Sequence, residues 1–554
     1  MTFLSKSYDV GPFLLSDGGV LAARPPKALP GDRVSSEGVL LARAVHKQLV
    51  GIVDFRNRTS MGRSRGGIPL YLFHPIDPGY PPFIVGSNNK PAENWFCTVE
   101  FVSWTDEWPR GAIQERLGPV GDAAVERRAL VAAASIPEPK ATAATAVAVA
   151  AAAAATVAAA VSAPVVDLSS YKDEPWDSVF HIDPVGCEDV DDILAWRDEA
   201  DGSTTWLIGI ADVAAWIPEG SALDHQASLR AQTLYDNGVP VSPMLPPILS
   251  TGLASLRSDG VKRPVVGLRV VVSSGGVATV GGLDFYQVAV KETYTYESVQ
   301  GTDVGKRVRG FASALSLSLG KDSDDSHEWI ETVMVAYNVH VARTLRSAGL
   351  GLLRRLPASE TPYAALSAST GCAELEHLGR QAGEYCAAAS TVDVAHTALG
   401  LSEYCHASSP LRRYADLVNQ RVLHHLLRGV SNPAAASAAY LNHRASVLRR
   451  TERDLWFLSH LARTEGISET EGILLTDSSA YCPEWKRVLR VVVESESLPS
   501  TTVPGSLQGI RGLVRVFVDR ARPRLHQRTV CAFVPAAAPV APVAPVATEV
   551  ADTI

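Results

Sequence analysis

Four aspartates, Asp183, Asp189, Asp191 and Asp192, and one glutamate, Glu188, crowd the short stretch from His181 to Asp192. Apolar runs flank it, Val179-Phe180 before and Ile193-Leu194-Ala195-Trp196 after. Carboxylates held against apolar walls repel one another, and their ionised forms lose solvation. A hard divalent cation with oxygen ligands is the usual compensation. Pro184 and Gly186 bend the backbone, so Asp183 and the later three aspartates can converge on one point. An EF-hand calcium loop is excluded. Offsets of six, eight and nine from Asp183 do not match its alternating ligands, its Gly and its final Glu. On these residues alone, a metal site and a solvated acidic turn stand about equal.

The Ile182-Asp183-Pro184 entry and the Asp191-Asp192-Ile193-Leu194 exit resemble the signature of the RNB catalytic domain. That domain defines the ribonuclease II and ribonuclease R family, which includes the exosome-associated exoribonucleases of eukaryotes. The resemblance continues through Ile208-Gly209-Ile210-Ala211-Asp212-Val213, Gly220-Ser221-Ala222-Leu223-Asp224 and Pro243-Met244-Leu245-Pro246. It returns as Tyr404-Cys405-His406-Ala407-Ser408-Ser409-Pro410-Leu411-Arg412-Arg413-Tyr414-Ala415-Asp416-Leu417.

The resemblance implies a Mg²⁺-dependent 3′–5′ exoribonuclease acting processively on single-stranded RNA and releasing nucleoside 5′-monophosphates. Asp183, Asp189, Asp191 and Asp192 match the family's four acidic positions and would ligate a two-ion site, with Mn²⁺ as substitute. Asp191 fits the position whose loss abolishes cleavage but not RNA binding. Arg412 and Arg413 carry guanidinium forks suited to phosphate oxygens, against the plainer reading of an ion pair with Asp416 or Glu403. Tyr235 matches the aromatic that packs on the terminal nucleotide, although a Tyr is by default a core residue. Tyr404 and His406 belong to the same RNA-contacting segment and are expected to orient it rather than react. Gly209, Gln420, Ala407-Ser408 and Ala254 depart from the family pattern without touching the aspartates.

Composition sets the frame for these residues. A chain of 554 residues exceeds one core and suggests several domains. Seven cysteines, odd in number and without a Cys-x-x-Cys, point to reduced thiols and away from a zinc site. A formal net charge of −8 argues against strong non-specific nucleic-acid binding, although an acidic whole can carry a basic channel. The first residues lack a secretory pattern, and early arginines are sparse. An intracellular protein is expected, in cytoplasm or nucleus, with the mitochondrion as the alternative.

The expected architecture is multidomain and α+β. Residues 1–33 read as an N-terminal tail, and 34–122 as a cold-shock or OB-like barrel resembling the one before the RNB domain in the eukaryotic branch. Arg56, Arg58, Arg63 and Arg65 are candidate phosphate contacts on one of its loops. The family usually carries two such barrels, and one is recognisable here. Residues 123–167 form an Ala-rich linker, helical over 123–135. Its uncharged run Ala141 to Ala163 could span a bilayer by length but lacks Leu, Ile, Phe and flanking anchors, so no membrane association is expected. The RNB domain is placed at 168–466, with strands first and helices dominating from Glu328. A small β-rich OB-like domain follows at 467–534, then a disordered Ala-Pro-Val tail at 535–554.

Two alternatives accompany the exoribonuclease reading. One is a non-catalytic RNB-fold RNA-binding subunit of an RNA-degrading assembly, with a helicase or exosome-like complex as partner. The other is a DNA exonuclease of the same fold.

Overall fold

The computed structural model describes residues 1–5, 7–9, 11–44, 48–56, 61–135, 166–315, 323–358, 362–378, 382–464, 466–493, 507–519 and 525–536. The linker run 136–165 and the tail 537–554 lie outside these residues, as does Arg58. Two compact units result, Met1–Ala358 with Gln381–Trp456, and Ser359–Arg380 with Phe457–Ile554.

The first residues depart from the expectation of a tail. β1 (Phe3–Ser5), β2 (Phe13–Leu15) and β3 (Val20–Leu21) form a three-stranded sheet. Phe3 and Leu15 are buried in a small core with Ala28 and Val34. Strands of two or three residues are too short to show alternation, so composition alone hid them. β4 (Arg33–Val34) then pairs with β5 (Leu40–Ala42).

The expected barrel is present and closed. β6 (Gln48–Val53), β7 (Leu70–Pro75), β8 (Phe83–Gly86), β9 (Trp95–Ser103) and β10 (Arg110–Pro119) join in the order β10-β8-β7-β6-β9. Phe73, Phe83, Val85, Cys97 and Val99 fill it. Helix α1 (Ala123–Ala134) starts where the Asp122 carboxylate accepts the Ala124 and Val125 N–H groups at 2.9 and 3.1 Å. It ties the barrel to the site-bearing part of the unit. Arg127 pairs with Asp236 at 2.6 Å, and Ala134 packs with Leu234, Val447 and Leu448.

The site rests on a six-stranded sheet. Its strands are β11 (Ser178–Asp183), β12 (Asp192–Asp198), β13 (Thr204–Ala211), and, beyond the hairpin β14 (Leu234–Asp236) and β15 (Val239–Ser242), β16 (Lys262–Val272), β17 (Ala278–Ala289) and β18 (Glu292–Thr295). The order is β17-β16-β13-β12-β11-β18, antiparallel except for β11 with β18. Alternate residues face opposite cores, as the pleat requires. Leu194, Trp196, Trp206, Ile208 and Ile210 pack with helices α3 (Asp303–Leu315) and α4 (Ser326–Ala348), which follow the short α2 (Ala222–Arg230). Ile193, Ala195 and Leu207 face Met244, Leu249, Leu411, Ala415 and Leu417 instead. β19 (Leu352–Arg355) pairs with β20 (Glu384–Ala387), and helices α5 (Tyr414–Arg428) and α6 (Ala438–Arg463) complete the helical half expected after Glu328.

In the second unit, β21 (Ile467–Thr476), β22 (Ser479–Cys482), β23 (Arg487–Val493), β24 (Arg511–Val518) and β25 (Thr529–Pro535) form a second closed barrel. The β-rich C-terminal segment is therefore a full five-stranded barrel, with Leu474, Val514, Val516 and Phe533 inside. Among the described residues, no helix is long and apolar enough to cross a membrane.

One ion pair braces the loop leading into β16. Arg263, 7% exposed, donates to both Asp259 oxygens at 2.6 Å and to the Leu253 carbonyl at 3.2 Å. Arg263 holds the Asp259 carboxyl down at about 2. A depressed carboxylate adds stability above its unfolded value and loses it as pH falls through the folded one. Asp259→Asn is thus expected to cost about 1 kcal/mol near neutral pH, the upper end for a partly exposed pair. Chemical denaturation of parent and variant should show that gap narrowing as pH drops from about 4 toward 2. A gap independent of pH would contradict it.

Candidate functional site

Asp183 closes β11, Asp192 opens β12, and the connection between them carries Asp189 and Asp191. Its bend is a four-residue turn in which the Cys187 N–H donates to the Pro184 carbonyl at 3.1 Å. Gly186 takes φ +80° there, a conformation that a side chain would resist. Ser255 pins the far end. Its hydroxyl accepts the Val190 N–H at 3.0 Å and donates to the Glu188 carbonyl at 2.7 Å. Asp191 is further fixed by its own carbonyl, which accepts the Ala211 N–H at 2.8 Å.

The acidic stretch meets the downstream motif directly, across 220 residues of sequence. Asp191, 4% exposed, accepts the Leu411 N–H at 2.9 Å on one oxygen and the Arg412 Nε–H at 3.2 Å on the other. Burial pushes its carboxyl up to about 7, opposed by the Arg412 charge and the Leu411 hydrogen bond. Burial also raises Asp192, and the Asp183 and Asp191 charges raise it further. Asp189 accepts the Tyr235 hydroxyl at 3.4 Å, while the Cys187 thiol lies 3.7 Å from its other oxygen. That thiol is raised by burial and then by Asp183 and Asp189, so these two carboxylates share a neighbour. All four aspartates therefore act on one locality.

The donor chemistry fits a hard divalent cation. The donors are oxygens and the charge is in excess, and Asp192 receives no hydrogen bond among the described residues. The arrangement nonetheless stops short of the single convergence point expected from the sequence. Among the described residues, no three His, Cys, Asp or Glu side chains form a group that could hold a metal ion. Asp183 instead turns an oxygen to His181 Nδ1 at 2.8 Å, and both Asp191 oxygens are engaged by the 411–412 backbone and guanidinium.

The two arginines part company. Arg412 is 45% exposed, and beyond Asp191 it donates to the Ser409 hydroxyl at 3.0 Å, leaving its outer face open. Arg413 is given to Asp416, with contacts of 3.2 and 2.8 Å, and this is a buried pair rather than a surface one. Tyr404 is 9% exposed and accepts from Asn338 at 3.2 Å. His406 bonds through Nδ1 to the Tyr385 hydroxyl at 2.9 Å. Both are held by protein groups, in keeping with the expectation that they orient the segment. Tyr235 stays half-buried, and its strand is positioned by the Thr233 N–H, which donates to the Arg412 carbonyl at 3.0 Å.

Several positioning residues escaped the sequence reading. Asn338 of α4 donates to Tyr404 and Ser408 and accepts the Ala407 N–H at 3.0 Å, holding the whole 404–408 segment. Gln420 accepts the Val213 N–H at 3.1 Å and donates to the Ala211 carbonyl at 2.7 Å, so this departure from the family pattern caps the end of β13. Gly209, another departure, leaves room for Ile193, whose Cδ1 would lie 2.8 Å from an added Cβ. Only a side chain distant in sequence explains each of them, so no local signal was available.

Residues 167–319 and 307–429 match the RNB domain family. The chain carries an RNB domain over these residues. Exoribonuclease 2 of Klebsiella pneumoniae is 26% identical over 366 residues, covering 52% of this chain and 56% of the relative. Exoribonuclease 2 of Salmonella newport is 27% identical over 350 residues, covering 50% and 54%. The chain thus spans about half the length of the curated relatives it matches. Among solved structures, the apo form of Mycoplasma genitalium RNase R aligns with a TM-score of 0.68 at 17% identity, covering 96% of this chain and all of that one. Yeast Ssd1, described as a pseudonuclease, aligns with a TM-score of 0.62 at 16% identity, covering 88% and 70%. Both are likenesses of fold. The RNB domain and the β-rich parts on either side follow the expected architecture.

Within the RNB domain, Asp416 holds the turn that grips Asp191. It is fully buried, accepts the Ser409 N–H at 2.8 Å and neutralises Arg413. Asp416→Ala leaves a largely buried guanidinium unpaired and is expected to cost about 3 kcal/mol. Equilibrium unfolding in urea measures this, and a loss below about 0.5 kcal/mol, the range of ordinary surface changes, would contradict the role.

Proposed function

We propose that this RNB protein is a 3′–5′ exoribonuclease that degrades single-stranded RNA processively to nucleoside 5′-monophosphates. The observation that carries the reading is the junction of Asp191 with the Leu411 N–H and Arg412, which joins the acidic stretch to an open guanidinium. Asp183, Asp189, Asp191 and Asp192 would hold two divalent ions, Mg²⁺ or Mn²⁺ in its place. When bound, these supply an activated water and neutralise charge at phosphorus and at the leaving 3′ oxygen.

The remaining work falls to side chains. Arg412 would receive a non-bridging phosphate oxygen on its exposed edge while Ser409 and Asp191 fix its orientation. Tyr235, beside Asp189, would stack on the terminal base. Stacking on unpaired bases selects single strands without reading sequence, and a terminal-base contact next to the acidic site sets the 3′ direction. Solved structures of the related fold, Mycoplasma genitalium RNase R, are described in complex with ribose-methylated single-stranded RNA and with double-stranded RNA, which supports RNA as the substrate class. A helicase or exosome-like assembly is the partner class this activity would serve.

A second reading is a catalytically weak or inactive RNA-binding subunit. The lack of a ready-made ligand group among the described residues and the fold likeness to a pseudonuclease favour it. Incubation with 5′-labelled single-stranded RNA and Mg²⁺ separates the two. The exonuclease gives a ladder shortening from the 3′ end, whereas retained binding without products supports the subunit. Asp191→Asn should keep RNA affinity and lose hydrolysis by about a hundredfold or more. Degradation at the parent rate would remove Asp191 from the chemistry.

A further inference from the structure

Arg354 stands out among the charged residues near the site. It lies on β19, opposite Tyr385 of β20, with its backbone N–H donating to the Tyr404 carbonyl at 2.7 Å. Its guanidinium carbon sits 4.7 Å from the centre of the Tyr385 ring. Gly383 makes the space, since a Cβ there would stand 3.1 Å from Arg354 Nε. A ring and a bare stretch of backbone this close restrict a planar fork to few orientations.

No carboxylate answers this charge among the described residues. Desolvation lowers Arg354 from its ordinary value, Tyr385 opposes that, and the Arg449 and Arg413 charges lower it further. Arg449 of α6 is half-buried and makes no ion pair within 4 Å among the described residues. Burial lowers it, with Tyr385 and the Glu452 carboxylate raising it and Arg453 lowering it. His406, on the other side of Tyr385, is held well below its usual value by burial and then by Arg413 and Arg354. None of the Arg354 nitrogens is among the fully buried, unpartnered polar atoms. A guanidinium held in this way, with further arginine charges acting on it and no carboxylate of its own among the described residues, is suited to an incoming anion.

We propose that Arg354, cradled by Tyr385 and Gly383 and assisted by Arg449, binds a phosphodiester of the RNA strand away from the bond being cut. The inference rests on the exoribonuclease reading for the identity of the strand, but the anion subsite itself does not. Arg354 is a positioning residue: it anchors the strand and leaves the chemistry to the acidic site.

The test is equilibrium binding of fluorescein-labelled single-stranded RNA without added metal, read by anisotropy across a salt series. Parent, Arg354→Ala and Arg354→Lys are compared. Arg354→Ala is expected to weaken binding about tenfold and to lower the slope of log affinity against log salt by about 0.7, one phosphate contact on a single strand. Arg354→Lys should keep the slope, which a merely structural role would not distinguish. Under Mg²⁺, the alanine variant should show its defect in KM rather than kcat. Parent-like affinity and slope in Arg354→Ala would overturn the subsite. So would protection of the parent alone by inorganic phosphate with RNA affinity unchanged in the variant, which marks a free-anion site. A chain that binds RNA through Arg354 yet hydrolyses none keeps this subsite and removes the exonuclease reading.

Discussion

Negative charge confined beside an apolar sheet is the constraint that the rest of the RNB domain answers. Asp191 is almost without solvent, and burial pushes its carboxyl well above the ordinary carboxylate range. Two donors offset this, the Leu411 N–H and Arg412, and both come from one turn far down the chain. Side chains from two helices of the domain hold that turn and its neighbours in place. Asn338 holds the 404–408 segment from α4, Asp416 holds Ser409 and Arg413 from the first turn of α5, and Gln420 holds the end of β13 from the same helix. Each bond replaces a solvent contact in a low-dielectric interior, where an unmade partner is costly.

Charges elsewhere in the motif blocks are settled differently. Asp212 is buried but accepts the Tyr171 hydroxyl at 2.7 Å and pairs with His424 at 2.8 Å. Asp224 pairs with Arg421 at 2.8 Å and accepts the Tyr414 hydroxyl at 2.8 Å. These carboxylates are saturated by protein groups and brace the scaffold. Asp192 has no such partner among the described residues. Contrast between saturated and unsaturated carboxylates is what separates structural acids from candidate ligands here.

Much of this was legible in the sequence because the signals were local. Short apolar runs between turn residues mark β6, β13 and β16, helical periodicity marks α4, α5 and α6, and the Pro184–Gly186 bend marks the turn before Asp189. The sheet of β1, β2 and β3 was missed because strands that short carry no period. Within the site, residue type could not say which of two adjacent arginines is open. Arg412 and Arg413 look alike in sequence, and only the fold gives Arg413 to Asp416. Nor could residue type show that Tyr404 is held by Asn338 and His406 by Tyr385.

Titration of Mn²⁺ against the protein, followed by the electron paramagnetic resonance signal of the free ion, tests the central claim most directly. If the crowded carboxylates are a cation site, the parent protein removes free Mn²⁺ saturably, and Asp192→Asn restores the free signal at the same concentrations. Parent protein that leaves the signal untouched, or a variant that sequesters as much Mn²⁺ as the parent, would contradict it.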